Sequence, residues 1–473
     1  MADSNHTNLL KIRNDNRPLE LEQTSEEEGK FSLCSNSQAS SWLSTDGKSA
    51  ITLSDLRNGI EPWLTSLFQS DHLSLLTGTG LSIAVQWLAT RSANNAMMTP
   101  TLDTEYADRI TTHANNIAKM SCRGEANIED YIRVINELLC GLEILDHNST
   151  DSKMKEKKTA YDKLENNLKK ILENFTDSIS SIENSIASAN EIHREEAFSY
   201  LVNFLMSFAS RVGTRERLNI FTTNYDRLIE AGSEIAGLHL LDRFVGTLSP
   251  IFRSSRLDID MHYNPPGIRG EPRYLEGVTR FTKLHGSIDW INTATDIRRI
   301  GLPFGSKDIN NFLNAPGLEG SDVGKIMIYP NSAKDRETTE YPYVELFRDL
   351  AAALCRPNST LVTYGYGFGD DHINRIIRDM LTIPSTHLVV ISYDNAGGRI
   401  TDKCREFCRP SQISLIIGKE LADLKTLVDY FLPKPSIDRA SIRMNEMLKK
   451  RYSSPKDETA QNKSATEVGE TAL

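Results

Sequence analysis

Three residues in this 473-residue chain have side chains suited to one shared reaction: Asn224, Asp226 and His285. An unperturbed imidazole titrates near pH ~6.5 and accepts a proton at neutral pH, so His285 is a candidate general base. Asn224 both donates and accepts hydrogen bonds and can hold hydroxyls and an attacking water together. Asp226 can orient a polar group or offset developing positive charge. Each has a structural reading beside the chemical one. A lone histidine at a strand end is more often a hydrogen-bonding scaffold residue. Thr223, with Asp226 three positions on, has the spacing of a helix capping box. The division that follows is that Thr223 and Asp226 shape a helix start while Asn224 faces a ligand.

Glycines cluster in the same way. "TGTGLSIA" (77–84) places Gly78 and Gly80 where a tight turn lets backbone N–H groups approach a pyrophosphate at a helix N-terminus, although Ile83 stands where a dinucleotide fingerprint has its third glycine. A plain turn explains a lone Gly-x-Gly equally well. "TYGYGFGDDHINRII" sets Gly365, Gly367 and Gly369 before a helix that Asp370 or Asp371 can cap. In "VVISYDNAGG", Asp394 stands where an acidic side chain takes up ribose hydroxyls. The chain contains no G-x-x-x-x-G-K-[ST] loop.

All of these groups sit just after short β-rich runs: "HLSLLTG", "LNIFTTN", "RFTKLHG", "STLVTYGYG" and "HLVVISYD", with "KIMIYP" and "QISLIIG" continuing the series. Alternation of such runs with helical patterns predicts an α/β fold, a Rossmann-like parallel sheet with helices on both faces. Ligands bind at the carboxyl ends of such strands, which is where the polar residues and glycines fall. Between the first two runs, roughly 110 residues carry helical spacing only, far more than one crossover needs. They predict a helical insertion over 100–215 within a nucleotide-binding domain spanning 51–435. Residues 1–50 are rich in Ser, Asn, Asp and Glu and are expected to stay disordered. Residues 436–473 read as a C-terminal helix followed by a disordered tail.

Apolar residues at 39% and charged residues at 25% describe a globular protein with polar appendages. No stretch approaches the ~20 apolar residues of a membrane span, and the first twenty residues lack the apolar block of a secretory signal. A cytoplasmic location is expected. A net charge of −10 disfavours general nucleic-acid binding. Six scattered cysteines include no pair of C-x-x-C knuckles, so no metal site is expected.

In order, Gly-x-Gly-x-Ser (Gly78 to Ser82), Thr-x-Asn-x-Asp (Thr222 to Asp226) and His-Gly (His285, Gly286) resemble the NAD-binding and catalytic core of the sirtuins. The resemblance is closest to the bacterial sirtuin-like NADases of antiphage defence, in which a late segment similar to "GYGFGDDHIN" (365–374) opens a helix. It covers roughly residues 60–430. It implies NAD as substrate, approached by Gly78, Thr79, Gly80, Ser82 and Thr223. It likewise implies Gly365, Gly367, Gly369 and Asp370. The catalytic residues it implies are Asn224, His285 and Asp226. Sirtuin deacylases carry a four-cysteine zinc module, an Arg-bearing cofactor loop and a glutamine at the position of Thr223. This chain has none of these, so deacylation is the weaker branch.

The implied activity is hydrolysis of NAD to nicotinamide and ADP-ribose, depleting NAD in abortive infection. The implied assembly is a homo-oligomer with a HerA-type ATPase as partner. The chemistry suits the residues, because oxidised NAD carries a cationic leaving group that departs neutral, and no general acid is needed. Two other classes stay open: a sensor that binds NAD or an ADP-ribose derivative without turnover, and a partner-docking subunit whose nucleotide site is structural.

Overall fold

The computed structural model describes residues 7–434 apart from 14, 25–28, 35–39, 44–49, 94–98, 121–123, 147–152, 211–215, 256, 258, 264–272, 294, 308 and 319–340. The elements below lie in one compact unit, Met1–Leu432. The expected strand at 325–330 and the expected helix and tail at 436–473 fall outside the described residues.

Seven parallel strands form the frame. They are β5 (His72–Thr77), β6 (Leu218–Thr222), β7 (His239–Leu241), β12 (Val278–Lys283), β15 (Ser359–Tyr364), β16 (His387–Ser392) and β17 (Ile413–Ile417). Their spatial order is β17-β16-β15-β5-β6-β12-β7. The chain therefore builds outward from β5 on one side, then returns to build outward on the other, and β5 and β15 flank the reversal. Apart from β7, almost every residue of these strands is buried, because both faces are covered. On β16, Val389 and Ile391 enter one core, while Leu388 and Val390 enter the other. The architecture is α/β and Rossmann-like, with helices on both faces. Helices α1 (Leu53–Phe68), α2 (Thr79–Thr90), α6 (Glu191–Ala209) and α7 (Leu228–Ile235) cover the first face. Helices α8 (Tyr343–Leu354), α9 (Asp371–Leu381) and α10 (Arg399–Glu406) cover the second.

The expectation of a disordered N-terminal segment fails over three strands. Strands β1 (Thr7–Lys11), β2 (Leu19–Gln23) and β3 (Lys30–Leu33), followed by β4 (Ile51–Thr52), continue the sheet antiparallel beyond β17. Averaging over fifty polar residues hid a period-two pattern in "LELEQ", in which Leu19 and Leu21 are buried while Glu20 and Glu22 face solvent. The Lys11 ammonium is also buried, and it donates to the Ile413 carbonyl at 2.7 Å. At the end of β4, Thr52 and Asp55 form a reciprocal capping box that starts α1.

Between β5 and β6 the chain runs through α2, then α3 (Ala107–Met120), α4 (Ile128–Asp146) and α5 (Lys153–Ala187), then α6. Helices α3 to α5 share a core of their own, including Ile110, Ile135, Leu164 and Phe175, which also takes in Tyr225 and Ile288 from strand-end loops. Helix α6 differs. Its Leu201, Phe204 and Phe208 pack into the sheet core, so it is a sheet-covering helix within the stretch read as insertion. A four-stranded sheet unforeseen from the sequence pairs β13 (Trp290–Asn292), β14 (Ile297–Arg299), β9 (Ile251–Phe252) and β8 (Phe244–Val245) in that order, and β10 (His262–Tyr263) pairs with β11 (Arg273–Tyr274). Among the described residues, no helix is long and apolar enough to cross a membrane.

Under α1, the Ser414 hydroxyl accepts from the Trp63 indole at 3.0 Å and shares a hydrogen bond of 2.9 Å with Nε2 of His387. Burial, helped by Lys11, pushes the His387 pKa down to about 4. An unfolded histidine takes its proton near pH ~6.5, so between those values the unfolded state binds more protons and stability falls with falling pH. Urea unfolding from pH 7 to 4 should show the wild type losing up to about 3 kcal/mol relative to His387→Gln. Equal slopes for the two proteins would assign the acid sensitivity to other groups.

Candidate active site

The site begins with two backbones in contact. The Gly78 N–H donates to the Tyr364 carbonyl at 3.0 Å, and the Gly80 N–H donates to the Gly365 carbonyl at 3.1 Å. A Cβ on Gly80 would stand 2.5 Å from the Gly365 Cα, and Gly365 has φ +61°, a region that other residues rarely adopt. These glycines thus let the loops after β5 and β15 lie on one another at the reversal of strand order. Gly80 is consumed by this contact and does not line the cavity that forms there.

The loop after β6 is fixed next. The Thr223 N–H donates to the Thr77 carbonyl at 3.1 Å. The Asn224 Nδ2 donates to the Gly78 carbonyl at 2.9 Å and to the Ser82 hydroxyl at 2.8 Å. A carbonyl can only accept, so the amide orientation is determined, and its buried Oδ1 is left without a protein partner. Ser82 passes its own proton to Asp226, whose other oxygen accepts from the Leu228 N–H at 3.1 Å. The result is a one-way chain from Asn224 through Ser82 to Asp226.

The Thr223–Asp226 capping box does not form. Helix α7 starts only at Leu228, with Arg227 at the N-cap, so Thr223 lies too far upstream and instead lines the cavity. Asp226 does satisfy one N–H of the first turn, but it does so as an Asx turn.

From β12, the Lys283 ammonium, 1% exposed, reaches the carbonyls of Tyr225 and Asp226 and the Glu230 carboxylate. Ser287 and the Ile288 N–H add two more donors to the Tyr225 carbonyl, at 3.2 and 3.1 Å. The loop carrying Asn224 is thereby clamped to the loop carrying His285. His285 is buried in the cavity wall, with Nε2 3.9 Å from the Asp370 carboxylate and its ring centroid 5.7 Å from that of His372. Asp370 occupies the N-cap of α9, yet its side chain makes no capping bond.

The cavity, about 220 Å³, brings together Gly78, Thr79, Ser82, Thr223, Asn224, Asp226, His285, Gly365, Gly367, Gly369 and Asp370. Asp394 is not brought in. It is exposed, and its carboxylate accepts from the Ala396 N–H at 2.8 Å in a local turn. That same loop delivers Arg399, whose Nε donates to the Gly367 carbonyl at 2.6 Å. The sequence reading also missed Gln86, one turn beyond Ser82 on α2, and a whole wall supplied by the insertion: Asn127, Glu129, Phe175, Ile179 and Ile182. Only the Gln86 spacing was visible beforehand. The Tyr225 hydroxyl lies 3.5 Å from the Glu129 carboxylate, and burial with that charge beside it holds the phenol well above its ordinary pKa.

Residues 218–416 match the SIR2-like domain family. The matched stretch carries the loops after β6, β12, β15 and β16, while the Gly78 loop and the insertion precede it. The match supports a sirtuin-like family and fits NAD-dependent activity in a broad sense. No curated protein matches the chain.

One buried ion pair joins insertion and site. Glu183 of α5, with no exposed side-chain surface, accepts from the Arg227 backbone N–H at 2.7 Å and from its guanidinium, whose remaining donors meet the carbonyls of Leu302 and Pro303. Burial pushes the Glu183 carboxyl up against the pull of Arg227, and Glu183 holds the guanidinium above its ordinary value. A guanidinium does not deprotonate in proteins, so the charge on Arg227 needs Glu183. Glu183→Ala should cost about 3–5 kcal/mol in urea unfolding, the range for breaking one side of a buried pair. A loss below about 1 kcal/mol would mean that water reaches Arg227.

Proposed function

We propose that the chain is an NAD+ glycohydrolase, cleaving the bond between nicotinamide and ribose to give nicotinamide and ADP-ribose, and that it depletes NAD in antiphage defence by abortive infection. The observation that carries this reading is the pairing, within one cavity at the reversal of strand order, of His285 with an Asn224 amide whose acceptor oxygen has no protein partner. The SIR2-like match over 218–416 supports the choice of NAD.

In this reading, Asn224 Oδ1 accepts from a ribose hydroxyl, and the Ser82–Asp226 chain keeps the amide from rotating. Water attacks C1′ as the glycosidic bond breaks with its electron pair passing to nicotinamide, which leaves neutral. His285 takes the proton from the attacking water. The Asp370 carboxylate, 3.9 Å away, favours the imidazolium that results. Gly367, Gly369 and the Arg399 guanidinium face the anionic part of the substrate, while Phe175, Ile179 and Ile182 give the cavity an apolar wall that limits bulk water. The insertion is then part of the site as well as a surface for a homo-oligomer or for a HerA-type ATPase partner. Among the described residues, the cysteines stand apart as free thiols, which favours hydrolysis over the deacylase branch with its four-cysteine module.

Chromatography of NAD incubated with the full chain, alone and with a HerA-type ATPase, should show nicotinamide and ADP-ribose accumulating together. His285→Ala should lower turnover by roughly 10²- to 10⁴-fold with thermal melting and NAD affinity nearly unchanged, and Asn224→Ala should lower turnover by roughly 10²-fold together with NAD affinity, since its amide also holds the loop. NAD that binds and stays intact under every condition would replace the hydrolase with the sensor reading. Early melting of both variants with undiminished specific activity would make these residues structural.

A further inference from the structure

His285 and Asp370 line the cavity, and His372 adds a third metal-ligating side chain beside them. His285 ends the turn after β12, Asp370 stands at the N-cap of α9, and His372 lies in the first turn of that helix. One ligand atom from each can be chosen so that all three lie within 4.8 Å of one another. Both histidines are buried, at 7% and 8% exposure. We propose that His285, Asp370 and His372 form a site for a zinc-class divalent cation, and that the bound ion holds NAD cleavage off by occupying the imidazole lone pair of His285.

The donor set decides the class of metal. Two imidazoles and one carboxylate suit zinc and its first-row neighbours, whereas magnesium and calcium prefer all-oxygen shells. Zinc bonds of about 2.0–2.1 Å place tetrahedral ligand atoms roughly 3.3–3.4 Å apart. The 3.9 Å between His285 Nε2 and the Asp370 oxygen therefore has to close by about half an ångström, and no pair in the set, all within 4.8 Å, has to close by more than about 1.5 Å, a movement that side-chain rotation supplies. Three protein ligands leave a fourth position open to water or substrate. The Asp226 and Glu129 carboxylates line the same cavity and, with Asp370, outnumber its one guanidinium among the described residues, that of Arg399. The search for cysteine knuckles could not find this site, since its ligands are 85 residues apart in sequence and include no sulfur. Inhibition, unlike binding, rests on the reading of His285 as the base.

Metal-stripped full chain titrated with cobalt(II) should give the visible d–d bands of a four-coordinate centre at one ion per chain, displaced by zinc. His372→Gln and the near-isosteric Asp370→Asn should each weaken binding at least about tenfold, with melting curves showing that both variants fold. Zinc should suppress NAD turnover in the wild type, and the ratio of turnover without zinc to turnover with it should fall towards one in His372→Gln. Binding unaltered by both substitutions, or only six-coordinate spectra, overturns the site. Zinc bound with turnover intact overturns the inhibition. If the chain cleaves no NAD at all, the cobalt spectra still report on the site, so failure of the hydrolase reading remains separate.

Discussion

The site depends on a contact that side chains would forbid. Gly78 and Gly80 after β5 meet Gly365 after β15 at backbone distance, and a methyl group on any of the three would fall within 2.5 Å of the opposite chain. That approach brings the loops of two neighbouring strands to one place at the point where the sheet changes direction. The third loop, after β6, is then drawn in through the bond from Asn224 to the Gly78 carbonyl. Backbone contact sets where the loops lie, and side-chain bonds from Asn224, Ser82, Lys283 and Ser287 then fix how the polar groups are aimed. This is pre-organisation built from main chain and side-chain bonds together.

Charge is handled by enclosure. Three buried cations, Lys11, Lys283 and Arg227, each terminate on backbone carbonyls as well as, for the latter two, on a carboxylate. Carbonyl dipoles that would otherwise be hard to satisfy in a loop become the cation's solvent. Lys283 holds the Tyr225 and Asp226 carbonyls from the sheet, and Arg227 ties the same loop to Glu183 of the insertion. The position of Asn224 therefore depends on residues that never touch the cavity.

Much of the frame was legible because β16 and β17 are nearly continuous apolar runs, while β5, β6, β12 and β15 are short runs of apolar and β-branched residues that end at turn residues. The rule that ligand groups gather at strand ends then located Asn224, Asp226, His285 and the glycine loops without knowledge of their partners. What was not legible has specific causes. The N-terminal strands vanish in a composition average, and the strands of the four-stranded sheet are two or three residues long, too short to show a period. Asp394 has the right residue type after the right strand, but its carboxylate closes a local turn and the chain swings Arg399 inward instead. Glu129 and Phe175 arrive from helices whose placement is a matter of tertiary packing, and His372 reads from sequence only as one more residue of a helix.

The N-terminal ladder decides which backbone the sheet leaves open at its border. Without it, β17 would present an open row of N–H and C=O groups, a template for a strand from another chain. With it, the described sheet ends on one side at β4, two residues long, and on the other at β7, three residues long. The described sheet thus offers a strand from another chain two short borders in place of the five-residue edge of β17.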